Sequence, residues 1–308
     1  MLDRKMYKAL EKLLGPENIS EDPAVRTTYS YQWCVEVDRA WRGESPTRFG
    51  HLPAAVVLPK TPEEVQGIVR LCNEHGVKFK ALSTGFGAWN AVSSPEAIQI
   101  DLRRMNQIIE INKDNMYAVV EPYVTNAQLH SQLIKYGLMH HMQGAGPQTS
   151  PLASHTSMVG PGFTSSATGF SGRNVRAVEW VIPTGDILRL GSLTSSDAWF
   201  SGDGPGPSLR GVMRGLMGAM GGLGIFTKVA IKLYPWPGPP DWRVSGTIPN
   251  YEFEVPPFWK MYVINWPDWD AFEAGYYQIA EANVAMMAMS SSQEGLATMF
   301  CNTREETI

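Results

Sequence analysis

Residues 53–82 constrain the fold more than any other part of the chain, because strand and helix signals alternate along them. Residues 53–59 form an apolar run that is typical of a buried strand. Residues 62–76 predict a helix, since they open with a proline and two glutamates after a capping threonine and close on a glycine. Residues 77–82 follow as a second strand. The sequence therefore predicts a strand–helix–strand unit.

A glycine-containing loop leaves this unit at residues 83–88, which read STGFGA. Two glycines two positions apart allow a tight turn that points several backbone N–H groups at one place. Such a group of amides suits a phosphate or a pyrophosphate. The glycine spacing is not that of the Rossmann dinucleotide fingerprint. The loop is a candidate phosphate-binding loop, and an ordinary turn is the alternative.

Further elements follow in regular order. Residues 97–102, 105–111 and 117–120 carry strand patterns, and residues 126–136 have the spacing of an amphipathic helix. A charged amphipathic helix is also predicted over residues 1–15. A chain of 308 residues is long enough for one large domain or two smaller ones.

This order of elements resembles the FAD-binding domain of the vanillyl-alcohol oxidase and p-cresol methylhydroxylase (PCMH-type) flavoprotein superfamily, which includes glycolate-oxidase-like and D-lactate-dehydrogenase-like members. The resemblance covers residues 52–237 and rests on the segments PAAVVLPKTPEEVQGIVRLCNEHGV, STGFGA, QIDLRRMNQIIEINKDNMYAVVEPYV, SMVGPGFTSSATG, VRAVEWVIPTGDILRLGS and GLMGAMGGLGIFTKVAIKLYPWP. It implies an α+β fold, in which a PCMH-type domain of two α/β subdomains is followed by the start of a cap (substrate) domain.

The resemblance also implies that FAD is held by three loops. Their residues are Ser83, Thr84, Gly85, Phe86, Gly87 and Ala88 in the first FAD loop, Ser157, Val159, Gly160, Thr164, Ser165 and Gly169 in the second FAD loop, and Gly224, Ile225 and Phe226 in the third FAD loop. Covalently flavinylated members often carry a histidine in the first loop. This chain has none there, so we expect FAD to be bound non-covalently.

Four features depart from the family's pattern or leave a choice open. Tyr123 stands where members usually carry a glycine. Pro161 replaces the second of two paired glycines and removes an N–H donor, so we expect one backbone bond fewer to the cofactor. His140 and His141 lie where the family runs toward the flavin, and either a functional role or a polar pair at a strand end fits them. The third FAD loop is a turn beside FAD or a plain turn before a strand at 229–234.

The composition shifts after Pro237, where prolines and tryptophans crowd the chain. We therefore expect an N-terminal helical segment at 1–50, the FAD-binding domain at 51–237 and a partial cap at 238–308, with helices at 209–220 and 269–289 and a flexible loop at 202–207. The tryptophans could line a substrate pocket, or they could belong to a core or a subunit interface.

Charge and cysteine usage exclude several classes of protein. A formal net charge of −4 gives no support to a nucleic-acid partner. No apolar run is long enough to span a bilayer. Three cysteines without a CxxC pair argue against an iron–sulfur or zinc site in this chain and fit a reducing cytoplasm.

The expected function is FAD-dependent oxidation of a hydroxy acid or an aromatic alcohol by hydride transfer to the flavin. The alternative is a flavin-carrying electron-transfer or structural subunit without its own substrate site. Because the cap looks incomplete, we expect a second subunit or a second copy of the chain to complete it, and an iron–sulfur protein is one candidate. The sequence names no catalytic base.

Overall fold

The computed structural model describes residues 2–31, 50–86, 90–142, 146–157, 159–191, 223–241, 243–247 and 250–290. The α-helices within these ranges are α1 (Arg4–Leu14), α2 (Pro23–Thr28), α3 (Pro62–His75), α4 (Asn126–Leu133), α5 (Pro151–Thr156), α6 (Ser165–Thr168) and α7 (Trp269–Ala282). The strands are β1 (Ile19–Ser20), β2 (Val56–Val57), β3 (Phe79–Leu82), β4 (Ile98–Asp101), β5 (Ile108–Asn112), β6 (Tyr117–Val120), β7 (Leu138–His140), β8 (Val175–Val181), β9 (Ile187–Gly191), β10 (Ile225–Pro235), β11 (Val244–Thr247) and β12 (Asn250–Phe253).

The first sheet has the strand order β1-β2-β4-β3, in which β2, β4 and β3 run parallel and β1 is antiparallel to β2. Helix α3 joins β2 to β3, as the sequence predicted. Thr61 Oγ1 accepts a hydrogen bond from the N–H of Glu64 at 3.2 Å, and Gly76 ends the helix with φ +65°. The buried face of α3 consists of Val65, Ile68, Val69 and Cys72. Local capping and apolar spacing therefore suffice to place this helix.

The N-terminal helix shares the core of the first sheet. Met6, Leu10 and Leu14 of α1 are buried in the same apolar cluster as the inner face of α3. An added Cβ at Gly67 of α3 would lie 2.7 Å from Leu13 Cδ2, so the glycine allows the two helices to approach closely. The predicted amphipathic helix is thus confirmed, and its apolar side packs on the first sheet.

The second sheet is antiparallel, with the order β5-β6-β10-β8-β9, and β7 pairs with the far end of β10. β10 is its central strand, and Val229 lies between Val120 of β6 and Val178 of β8. The apolar cluster of this sheet includes residues of α4 and α5. The two sheets meet where Val181 and Ile225 enter the cluster of the first sheet.

A buried carboxylate ties three strands of the second sheet together. Glu179 of β8 has no exposed side-chain surface and pairs with Arg189 Nε of β9 at 2.8 Å and with Lys228 Nζ of β10 at 2.9 Å. Thr227 Oγ1 adds a hydrogen bond at 3.0 Å. Burial opposes the charged form of Glu179, but the hydrogen bonds from Lys228 and Arg189 outweigh it and lower the pKa. The paired charges help to fix the register of these strands.

The part of the chain after β10 is built differently. None of the side chains described after Trp236 is buried, although residues 243–290 include the hairpin β11–β12 and helix α7. The ring of Trp259 contacts the buried ring of Trp236 with centroids 5.5 Å apart. Helix α7 ends at Ala282, seven residues before the predicted end, because Asn283 adopts φ +50°. The domain boundary near Pro237 stays a prediction, and the helix predicted at 209–220 and the loop predicted at 202–207 lie outside the described residues.

The described ranges contain no candidate membrane span and no candidate metal cluster. No helix there combines the length and the apolar character that crossing a bilayer requires. Among the same residues, no three histidine, cysteine, aspartate or glutamate side chains are grouped so that they could hold a metal ion.

Candidate functional site

The first FAD loop leaves the carboxyl edge of the parallel sheet. β3 ends at Leu82, which is paired with Asp101 of β4, and residues 83–86 follow as a half-buried turn. Ligands of open α/β sheets bind outside the carboxyl ends of parallel strands. Gly87 and Ala88, which complete the predicted loop, lie outside the described residues. The loop therefore stands where a cofactor phosphate would be expected.

Gly85 gives this loop its conformation. Its φ is +75°, a value that favours glycine, and the amide of Asn90 donates to its carbonyl oxygen. Its N–H has no acceptor within the described part of the chain. Among the described residues, an added Cβ would meet the δ carbons of Leu82 at 3.8 and 3.9 Å, which is ordinary van der Waals contact. A backbone donor without an acceptor in the described part of the chain fits the approach of a phosphate oxygen.

A charge cluster around the buried carboxylate of Asp101 lies beside this loop, and sequence reasoning missed it. Tyr29 Oη donates to Asp101 Oδ2 at 2.6 Å, and Arg103 Nε donates to the same oxygen at 2.7 Å. Arg103 Nη2 also donates to Tyr29 Oη at 2.9 Å. Burial and then the hydrogen bond to Asp101 raise the pKa of Tyr29, which keeps the phenol protonated. The pair Asp101 and Arg103 is visible in the sequence, whereas Tyr29 is 72 residues away from Asp101.

The second FAD loop has most of its amides already bonded within the protein. The N–H of Gly160 donates to Ser171 Oγ at 2.9 Å, and the N–H of Gly162 donates to Ser165 Oγ at 2.6 Å. The N–H of Phe163 donates to the carbonyl oxygen of Met142 at 2.9 Å. We expected one donor fewer because of Pro161; the structure shows that the N–H of Gly160 is also engaged.

The other predicted residues of the second FAD loop differ in exposure. Val159 and Thr164 are buried, Ser157 and Ser165 are half-buried, and Gly169 is exposed with φ +71°. The loop is pressed onto the end of β7, because an added Cβ at Gly162 would lie 2.0 Å from the carbonyl oxygen of Met142. The loop therefore offers a fixed surface with few free donors.

His140 and His141 are both fully buried beneath this loop. His140 Nε2 is 2.8 Å from Asn126 Oδ1, and His141 Nδ1 is 2.9 Å from Thr168 Oγ1. The ring of His155 packs edge-on against His141 with centroids 5.5 Å apart. Burial, and then the neighbouring histidines, hold the pKa of His140 well below its ordinary value and lower that of His155 to about 3. The two histidines therefore hydrogen-bond to side chains of this region, His140 to Asn126 and His141 to Thr168 of the second FAD loop.

The third FAD loop differs from its prediction in one respect. We expected the strand to begin at residue 229, but Ile225 and Phe226 already belong to β10. Ile225 pairs with Val181, and Phe226 stacks on Trp180 with ring centroids 5.0 Å apart. Because both side chains are buried, they belong to the two cores and only backbone remains for a ligand. A cofactor contact by these residues stays a prediction.

Gly224 explains why the third FAD loop can pass so close to β8. Its φ is +109°, and an added Cβ would lie 2.3 Å from the carbonyl oxygen of Val181. The structure thus packs the second FAD loop against β7 and the third against β8, both in the second sheet. The first FAD loop stands at the edge of the other sheet.

Comparison with known proteins identifies this arrangement. Residues 53–191 match the family model described as an FAD binding domain. The flavoprotein subunit of 4-cresol dehydrogenase [hydroxylating] of Pseudomonas putida is 32% identical over 242 residues, which cover 75% of this chain and 43% of that protein. Glycolate oxidase subunit GlcD of Bacillus subtilis (strain 168) is 26% identical over 238 residues, which cover 77% of this chain and 46% of that protein.

A solved structure agrees with the sequence comparisons. Substrate-bound p-cresol methylhydroxylase superposes with a TM-score of 0.60 at 25% identity, over 76% of this chain and 43% of that one. The chain therefore contains an FAD-binding domain with an α+β fold. In sequence and fold it is similar to members of the PCMH-type flavoprotein superfamily. The chain spans less than half the length of these relatives.

Proposed function

We propose that this chain is the FAD-binding part of an oxidoreductase that oxidises a hydroxy acid or an aromatic alcohol by hydride transfer to the flavin. The single observation that carries the proposal is the match of residues 53–191 to an FAD binding domain. The two substrate classes come from the relatives, one named for glycolate and the other for 4-cresol. The flavin, when bound, supplies the hydride acceptor.

The residues of this chain would bind and orient the cofactor. In this proposal, the free N–H of Gly85 donates to the pyrophosphate at the carboxyl edge of the first sheet. The cluster of Arg103, Asp101 and Tyr29 fixes the chain next to that loop. The second FAD loop supplies a rigid surface on the other sheet. Since residues 83–88 contain no histidine, the proposal includes non-covalent FAD.

A second candidate function is that of an FAD-carrying subunit in a larger complex, without a substrate site of its own. The exposed apolar side chains after β10 favour this candidate. Met261 is 87% exposed, Tyr262 78% and Trp269 73%, and surfaces of this kind mark interaction sites. Both curated relatives are named as subunits. In this proposal residues 51–237 form the FAD-binding domain, and residues 238–308 form part of a cap that a second polypeptide or a second copy completes.

Anaerobic reduction of the bound flavin distinguishes the two candidates. The oxidoreductase predicts that absorbance of the FAD-loaded protein near 450 nm (roughly the flavin maximum) bleaches with a hydroxy acid such as glycolate or with a 4-alkylphenol. The second candidate predicts that dithionite bleaches the flavin and that these donors do not. A protein that binds no FAD when FAD is in excess would contradict both.

The proposed partner is tested separately by mass in native solution. We expect a species larger than the 34.1 kDa of one chain, either as an oligomer or with a co-purifying protein such as an iron–sulfur subunit. A stable monomer that turns over substrate with a dye as the acceptor would contradict the need for a partner.

A further inference from the structure

The second FAD loop is hydrogen-bonded to Met142, two residues after the end of β7, through both backbone polar groups of that residue. The carbonyl oxygen of Met142 accepts from the N–H of Phe163 at 2.9 Å, and the N–H of Met142 donates to Thr164 Oγ1 at 3.0 Å. The close approach of Gly162 to the same carbonyl leaves no room for the loop to shift toward β7. The position of the loop is therefore set by Met142 and by whatever holds Thr164 in place.

Thr164 is held by Thr168, one turn later. Their Oγ1 atoms are 3.2 Å apart, and both side chains are buried. The hydroxyl of Thr168 donates to the carbonyl oxygen of Thr164 at 2.8 Å, which uses its only proton. His141 Nδ1, 2.9 Å from Thr168 Oγ1, must therefore carry a proton and donate it. The hydroxyl of Thr164 is left to donate to Thr168 Oγ1, so each hydroxyl proton has an acceptor.

The far side of the loop is fixed at the same threonine. The carbonyl oxygen of Thr168 accepts from Tyr234 Oη at 3.1 Å and from Asn174 Nδ2 at 3.1 Å. Asn174 Oδ1 is 2.5 Å from Tyr234 Oη and shares its single proton with that carbonyl oxygen. Thr168 is thus the point where the loop, β10 and the histidine cluster meet. His141 is the side chain that closes this network from the β7 side.

We propose that His141 is a positioning residue for FAD, which it does not touch. As an imidazole protonated on Nδ1, it donates to Thr168 Oγ1 and so orients the two threonines that hold the second FAD loop against Met142. This inference rests on the proposed function, because it assumes that this loop borders the cofactor. Since the loop has few free amides, its fit to FAD depends on where its backbone is held.

Four single variants test the proposal by FAD affinity, measured from the quenching of flavin fluorescence. His141→Leu and Thr168→Val each remove one end of the hydrogen bond and should weaken FAD binding about tenfold. His141→Asn places an amide N–H near the position of Nδ1 and should stay within about threefold of the wild type. His130→Asn is the matched control, because His130 packs on Trp236 with ring centroids 5.0 Å apart and should leave the affinity unchanged.

The double variant His141→Leu/Thr168→Val gives the sharper readout. If the two residues act through one hydrogen bond, the FAD affinity of the double variant is no lower than that of the single variant with the lower affinity. Full additivity of the two losses overturns the proposal. An unchanged FAD affinity in Thr168→Val also overturns the proposal. Valine keeps the side-chain shape of threonine, so this variant still tests the proposal if His141→Leu does not fold. A wild-type protein that binds no FAD refutes the proposed function instead, so the two failures are distinguishable.

Discussion

The first and second FAD loops hold their backbone N–H groups in different ways. In the first, Gly85 adopts φ +75°, and its N–H has no acceptor among the described residues. In the second, the amides of Gly160 and Gly162 are bonded to serine hydroxyls, and Gly162 is in contact with the carbonyl of Met142. A glycine-rich segment can therefore leave backbone N–H groups available as hydrogen-bond donors, or it can bond them within the protein and form a tightly packed surface.

The two loops also differ in what lies behind them. The first stands beside an ionic cluster in which the buried carboxylate of Asp101 accepts from Tyr29 and Arg103. The second stands on buried neutral histidines, whose charged forms are disfavoured by burial. Substitutions in the second loop should therefore affect the stability of the protein first, and those in the first loop should affect cofactor affinity first.

The largest effect is expected from Gly162→Ala. The new methyl group would lie 2.0 Å from the carbonyl oxygen of Met142, so the loop or β7 must shift. We expect the free energy of unfolding to fall by about 3 kcal/mol or more, since a fixed backbone atom cannot yield as a side chain does. Urea unfolding of the protein without FAD measures this loss.

Gly169→Ala in the same loop is the matched control. Gly169 has φ +71°, but an added Cβ would meet nothing within 4 Å. Only backbone strain remains, because φ +71° with ψ −158° is a conformation that essentially only glycine adopts, and the expected cost is about 1 to 3 kcal/mol. Equal losses in the two variants would contradict the tight packing of Gly162.

Acidification should weaken the support of the second loop. Because the pKa values of His140 and His155 are lowered in the folded protein, their contribution to stability is fully present above the unfolded pKa of about 6.5 and is lost as the pH falls toward the folded values, about 3 for His155. For His155 the loss between pH 7 and pH 5 is about 2 kcal/mol. Urea unfolding at the two pH values measures it.

Carboxylates also titrate in this range, so a variant must isolate the histidine. His155→Gln cannot become protonated and should show a smaller drop in unfolding free energy between pH 7 and pH 5 than the wild type. An identical drop in both proteins would show that His155 is not buried in its neutral form.

Gly85→Val should affect the cofactor more than the fold. The side chain would extend into the space beside the loop and would disfavour φ +75°. We expect FAD affinity to fall at least tenfold, about 1.4 kcal/mol. Gly76→Val is the control, because Gly76 ends α3 with a similar φ of +65°, and this substitution should leave FAD affinity unchanged. The sequence makes the same prediction for Gly87→Val, in which FAD binding is abolished while the protein still folds.

Ser171→Ala should have the smallest effect. It removes the acceptor of the N–H of Gly160 and costs about 1 kcal/mol of stability, because that amide is buried. FAD affinity should change less than threefold if the loop acts through its shape. A marked gain in FAD affinity would mean that the freed N–H binds the cofactor, which would remove the contrast between the two loops.

The elements that the sequence predicted well are those with local signals. Helix α3 has its cap, its proline and its apolar face within residues 61–76, and β6 matches its prediction from Tyr117 to Val120. The start of β10 was missed because glycines before it favour a turn, while the pairing of Ile225 with Val181 is a contact between distant residues.

The candidate site shows the same limit. The first FAD loop could be predicted because two glycines after a strand are a local pattern. That the N–H of Gly160 donates to Ser171, or that Tyr29 donates to Asp101, depends on how separate segments pack, so residue order does not reveal it. The sequence predicts the FAD loops, whereas the packing of separate segments determines which of their backbone N–H groups are hydrogen-bonded within the protein.

The most direct test of the account is the flavin content of the purified protein after reconstitution with FAD. The account predicts one FAD per chain, all of it released into the supernatant by acid precipitation and identified as FAD by chromatography. Flavin that stays with the precipitated protein would contradict non-covalent binding. Protein that takes up no FAD would contradict the central claim.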